Sequence, residues 1–138
     1  MIVGIISVVA TARLSSGFAE TRSFYDKLLS QVQYARKAAV AQRRAVFVRI
    51  DATQSRLCYS AAGTCTAGDA VASPTGDLPF TVSVPSGMSA TVTVFQFDAL
   101  GRYRDSAGAA TITPLVITVT GDGTLQFTVE HDTGFVHS

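Results

Sequence analysis

Hydrophobic positions recur at two different periods along this chain, and the change comes near residue 45. Phe24, Leu28, Val32, Ala35 and Ala39 follow one another at steps of four, four, three and four, which puts them on one face of an α-helix. Glu20, Arg22, Asp26, Gln33, Lys37 and Arg44 lie mostly off that stripe. Residues 18–44 therefore read as an amphipathic stem whose stripe enters a core. The small Ala35, Ala38, Ala39 and Ala41 let other elements approach closely. Ahead of the stem, residues 2–12 carry no charge, and Ile2, Val3, Ile5, Ile6, Val8 and Val9 make the helix tip apolar. Ser15-Ser16-Gly17 interrupts the helical pattern, since glycine costs up to ~1 kcal/mol relative to alanine inside a helix. A bend at Gly17 is permitted there and not forced.

Beyond the stem the period becomes two. Val46, Val48 and Ile50 alternate with Phe47 and Arg49; Phe80, Val82 and Val84 with Thr81 and Ser83; Leu125, Phe127 and Val129 with Gln126, Thr128 and Glu130. These are half-buried antiparallel strands. Further strand sequence covers Arg56 to Ser60, Ser89 to Phe97, Leu115 to Thr120 and Phe135 to His137. Gly121-Asp122-Gly123 lies between two strongly β segments and predicts a hairpin connection, glycine accepting the positive φ that tight turns require. Ala61 to Asp77, rich in Gly, Ala, Ser, Thr and Pro, reads as a surface excursion.

With 138 residues and 47% hydrophobic composition the chain suits one domain with a modest core. Its net charge of +1 conceals a dipole: nine Lys/Arg face three Asp/Glu up to Arg56, and two face seven beyond it. The basic half is spread along a helix and not packed into one run, as in a solvated helical face. In an assembly of copies, basic stems would lie beside acidic heads.

Cys58 and Cys65 are the only cysteines, and two ligands fall short of the four that a structural zinc site takes. His131 and His137 lie far off in sequence. A disulfide across the short Gly63-containing loop is the favoured reading, and it implies an oxidising compartment such as the bacterial periplasm. Redox chemistry is not indicated, because the spacing is not Cys-x-x-Cys.

A membrane-crossing helix needs about 20 apolar residues, whereas residues 2–12 cover about 16 Å as helix. The segment reads as the last half of an anchor. It lacks the basic start and cleavage site of a secretory signal. Residues 2–14, Ile-Val-Gly-Ile-Ile-Ser-Val-Val-Ala-Thr-Ala-Arg-Leu, resemble the second half of the N-terminal helix of GspH/FimT-type minor pilins and pseudopilins, which serve type IV pili, MSHA-type pili among them, and type II secretion. Gln33 to Val46 is similar to that family's Ala-Arg-x-x-Ala-Val helix end, Phe97-Asp-Ala-Leu-Gly-Arg to its Phe-Asp-x-x-Gly-Arg turn, and Leu125 to Val136 to its closing strand with Thr-Gly-Tyr/Phe-Val. The family's processed Phe and assembly Glu match no residue of this chain.

The resemblance implies an α+β, pilin-like fold: a long N-terminal α-helix (residues 1–44) packed on a C-terminal antiparallel β head (residues 45–138) with two small sheets. It implies a non-enzymatic subunit in the bacterial inner membrane, head in the periplasm, whose partners are the membrane and other pilin or pseudopilin subunits of a filament. No cofactor, metal or small-molecule substrate is expected. The alternative is a membrane-tethered β-sandwich that binds a ligand or acts as an adhesin, with DNA uptake as its sharpest form. Nucleic acid is disfavoured because residues 129–138 contain Glu130 and Asp132 and no Lys or Arg, leaving Arg102 and Arg104 as the distal cations. His131 beside Asp132 is the one candidate catalytic pairing, and successive strand residues would point to opposite faces. No phosphate loop, dinucleotide fingerprint, HExxH or EF-hand pattern occurs.

Overall fold

A computed structural model of the chain describes the backbone of residues 2–60, 65 and 68–138, and the side chains of residues 18–60, 65 and 68–138. Helix α1 (Ile2–Gln42) spans 41 residues. The strands among the described residues are β1 (Val46–Ile50), β2 (Gln54–Cys58), β3 (Thr81–Ser83), β4 (Ser89–Ala90), β5 (Thr93–Phe97), β6 (Tyr103–Asp105), β7 (Leu115–Thr120), β8 (Thr124–Val129) and β9 (Val136–His137). They form two antiparallel sheets, in the orders β3-β2-β1-β5-β6 and β4-β7-β8-β9.

α1 is continuous through Ser15-Ser16-Gly17, so the sequence's expected interruption is absent. One glycine's penalty is small against a helix that is already nucleated on both sides. The helix stops at Gln42, two residues before the predicted end. Arg43 turns into the left-handed region at φ 53°, and Arg44 N–H donates to the Ala39 carbonyl at 3.2 Å. This is a left-handed C-terminal cap made with a non-glycine residue. No helix among the described residues is long and apolar enough to cross a membrane.

The core lies between α1 and both sheets. Phe24, Leu28, Val32, Ala35 and Ala39 are all buried, against Val46, Val48 and Ile50 of β1, Phe95 and Phe97 of β5, Ile117 and Val119 of β7, and Phe127 and Val129 of β8. Strand alternation holds on β1, where Phe47 and Arg49 are only half-buried.

Three features depart from the pattern read in the sequence. Ser89 to Phe97 is two strands: Ser89 pairs with Thr120 in the four-stranded sheet, and the chain then crosses over so that Thr93 pairs with Ile50 in the five-stranded one. β6 was not anticipated, because Tyr103-Arg-Asp is short and charged. Gly121 and Gly123 do join β7 to β8, yet neither has a positive φ. Glycine is needed there for approach: a Cβ on Gly121 would strike the Thr21 side chain, and one on Gly123 would sit 3.1 Å from the Phe18 ring.

Candidate functional site

The seam between helix and head is fixed by polar side chains that flank the apolar stripe. Near the start of the stem, Asp122 N–H donates to Thr21 Oγ1 at 3.1 Å and Tyr25 O–H donates to the Gln126 carbonyl at 3.0 Å, tying α1 to the β7–β8 hairpin. The Tyr25 ring also meets Phe127 edge-on, with centroids 5.8 Å apart. Nearly two turns further, Gln31 is fully buried. Its amide nitrogen donates to the carbonyls of Ser55 (3.0 Å) and Phe80 (3.1 Å), while its oxygen accepts from Ser55 Oγ, so each polar atom is matched. Tyr34 O–H reaches the Ala72 carbonyl at 2.9 Å. At the helix end the Arg44 guanidinium lies 3.9 Å from the Tyr59 ring centroid, a cation–π contact onto the chain just after β2.

Arg36 carries the junction that joins both sheets. Its Nε donates to the Gly101 carbonyl at 3.1 Å and to the Thr133 carbonyl at 3.3 Å. Gly101 belongs to the Phe97-Asp-Ala-Leu-Gly-Arg turn and Thr133 to the Thr-Gly-Phe-Val segment. The three short motifs singled out in the sequence thus meet at one point. Gly101 (φ 80°) sits under Arg36 and Val40, and Gly134 (φ 68°) lies so close to the Gly101 carbonyl oxygen that a Cβ there would overlap it.

The turn itself is organised by Asp98. One carboxylate oxygen accepts from Leu100 N–H (3.0 Å) and Arg102 N–H (2.9 Å), and the other from Arg102 Nε (3.0 Å) and Arg104 Nε (3.1 Å). Partial burial pushes the Asp98 carboxyl upward, but these backbone and arginine hydrogen bonds outweigh it and hold the group below the ordinary carboxylate value. Arg102 and Arg104, the distal cations, are therefore occupied inside the turn.

Cys58 and Cys65 are joined by a disulfide, with Cα atoms 5.7 Å apart. It clamps the excursion to the end of β2, where Tyr59 N–H donates to the Asp69 carbonyl and Val71 N–H to the Leu57 carbonyl. Of the excursion, residues 61–64 and 66–67 lie outside the described residues. So do the side chains of Ile2, Val3, Ile5, Ile6, Val8 and Val9.

β9 is held by a second polar link: His137 Nε2 meets Glu130 Oε1 at 2.7 Å. The hydrogen bond that the imidazole donates to Glu130 raises His137 above its ordinary value. His131 and Asp132 lie in the turn after β8 and not on a strand, so the opposite-faces expectation does not apply, and they touch at 3.4 Å. Asp132 is exposed. No group of three or more His, Cys, Asp and Glu side chains among the described residues is placed to hold a metal ion.

Gln31 and Arg36 are the seam residues that periodicity did not select. Gln31 had a signal, a polar residue three places after Leu28 on an otherwise apolar face. Arg36 had one only in the spacing of its motif.

Comparison with known proteins bears on what such a seam belongs to. The family model of the type II transport protein GspH matches residues 25–133. Two crystal forms of the type IV minor pilin FimU of Pseudomonas aeruginosa share the fold. One superimposes with a TM-score of 0.58 at 20% identity over 86% of this chain and 87% of FimU. The other gives 0.57 at 18% identity over 84% and 90%. No curated protein sequence matches the chain. The family match spans most of the chain and includes Arg36, Gly101 and Thr133, the three residues that lock helix to head: the chain belongs to the family of the type II transport protein GspH.

Proposed function

We propose that the chain is a minor pilin or pseudopilin, a non-enzymatic structural subunit of a type IV pilus or a type II secretion pseudopilus. The observation that carries this reading is one continuous helix whose stem, from Thr21 to Ala39, is built into both sheets of a GspH-family head while the same helix extends ahead of it to Ile2. Such a helix offers one stretch to its own head and another to its surroundings. The likeness of the fold to FimU, a minor pilin, supports the minor-subunit role.

Assembly is the mechanism. The apolar tip, with Ile2, Val3, Ile5, Ile6, Val8 and Val9, resides in the inner membrane until the helices of neighbouring subunits bury it, so polymerisation exchanges lipid contacts for protein contacts. The Arg36 junction makes helix and head one rigid unit, and helix packing thereby sets where each head is presented. The head faces the periplasm, the oxidising compartment in which the Cys58–Cys65 disulfide forms.

Expression of the epitope-tagged chain in a bacterium carrying such a system tests this. The chain should co-purify with sheared filaments as a minor component, and a variant lacking residues 2–12 should be absent from them. A chain released by osmotic shock without detergent and never found in filaments would overturn the reading.

A further inference from the structure

β3 ends the five-stranded sheet, with no further strand beside it among the described residues. Leu57 N–H donates to the Phe80 carbonyl at 3.2 Å and Val84 N–H to the Thr53 carbonyl at 2.9 Å, with Ser55 opposite Val82, so the even-numbered residues turn their peptide groups toward β2. In an antiparallel ladder the intervening residues direct theirs the other way. Thr81 and Ser83 consequently present N–H and C=O groups along the free edge. That edge borders a hollow of about 880 Å³ whose opposite wall is the exposed face of α1, with Arg22, Asp26, Lys27 and Ser30.

Exposed edges template pairing with other chains unless they are blunted. The other edges of this molecule are. β6 carries Arg104 and Asp105 and is bridged from Arg104 to Ala110. β4 and β9 are two residues long, and β9 is clasped by His137 and Glu130. β3 differs: residues 78–85 bear no charge, and Pro79 and Pro85 lie outside the strand. Across the hollow Arg22 pairs with Asp26 at 3.5 Å, whereas Lys27 is exposed and has no ion-pair partner among the described residues.

We propose that this edge accepts an extended segment of a partner protein, which adds as a further strand beside β3 and sets an acidic side chain against Lys27. Peptide groups are the chemistry that satisfies the outward N–H and C=O of Thr81 and Ser83, which a helix, its own peptide groups already bonded, does not offer. The unpaired ammonium selects the sign of the partner.

The test uses the full chain in detergent micelles and three blocked octapeptides of alternating threonine and valine: one with a central glutamate, one with lysine there, and the glutamate peptide N-methylated at alternate residues. Amide exchange followed by NMR should slow at Thr81 and Ser83 with the glutamate peptide. The lysine peptide should bind about two- to fivefold more weakly, the range of an exposed ion pair, and the N-methylated one should give no protection. Lys27→Glu should reverse the order of the two charged peptides. Ser83→Pro removes only an outward N–H and should abolish protection at Thr81 while the Val82 amide stays protected; should that variant misfold, the Lys27→Glu reversal decides. No slowing at Thr81 and Ser83 at millimolar peptide, or equal binding of the N-methylated peptide, would overturn the proposal.

Discussion

Arg36 joins three segments that are far apart in the chain, through one Nε–H shared between the carbonyls of Gly101 and Thr133. Arg36→Met should lower stability by about 1.5 to 3 kcal/mol, the range for hydrogen bonds that involve a charged group, read as a lower urea midpoint. Arg36→Lys should not restore it, because lysine has a methylene where arginine carries the donating Nε–H. Gly134→Ala at the same junction should be comparably costly, roughly 2 to 3 kcal/mol, since both the φ of 68° and the overlap with the Gly101 carbonyl oppose it. His137 supplies a pH dependence. Its folded-state pKa is raised, above all by the hydrogen bond to Glu130, so the link is fully present below the ordinary histidine value and is lost as pH rises through the raised one. Amide exchange at Val136 and His137 should therefore accelerate, beyond its intrinsic increase, as pH rises above the ordinary histidine value of about 6.5. Glu130→Gln should flatten that excess; an unchanged profile would separate the clasp from the titration.

At the scale of elements, the helix stem was legible because its burial repeats at a local period, and the positions at that spacing are the ones packed under the head. Leu28 is completely buried, and Leu28→Ala should cost ~2 to 5 kcal/mol. A barely altered melting temperature would mean that the stripe is not part of the head's own core. The excursion after β2 should respond to its clamp: Cys58→Ser should destabilise by about 2 to 3 kcal/mol through loss of a short closed loop, with faster amide exchange from Asp69 to Val71 and an unchanged helical circular dichroism signal. The strands were legible only where one partner and one face persist. Ser89 to Phe97 reads as one β run because threonine and valine favour extended backbone throughout, and nothing local marks the point at which it leaves β7 for β1. β6 was illegible for the opposite reason, its pairing being imposed by the Asp98 turn on a charged tripeptide.

For the whole molecule, the head should fold without the apolar tip. Among the described residues, the side chains that the helix contributes to the core run from Thr21 to Ala39. A variant lacking residues 1–12 should be soluble, folded and monomeric by sedimentation, while the full chain should need detergent or self-associate. An intact chain that is monomeric without detergent, together with a deletion that unfolds the head, would return Ile2, Ile5, Ile6 and Val9 to the ordinary core. The charge dipole belongs to this scale as well: Arg102 and Arg104 both pair with Asp98, so the distal cations and one of the head's carboxylates are held in a single local cluster.

The sequence by itself determined what depends on neighbours along the chain: a helix with one apolar face, strands with alternating burial, two cysteines close enough to bond, and an uncharged tip. It also carried three short motifs in a recognisable order. Only the tertiary structure decided where those motifs meet, which edge of the sheet stays open, and why Gly121 and Gly123 are glycines. Those outcomes arise from approaches between segments up to a hundred residues apart, such as Asp122 on Thr21. Local propensity records the preference of each segment, whereas packing decides which two segments must share a space.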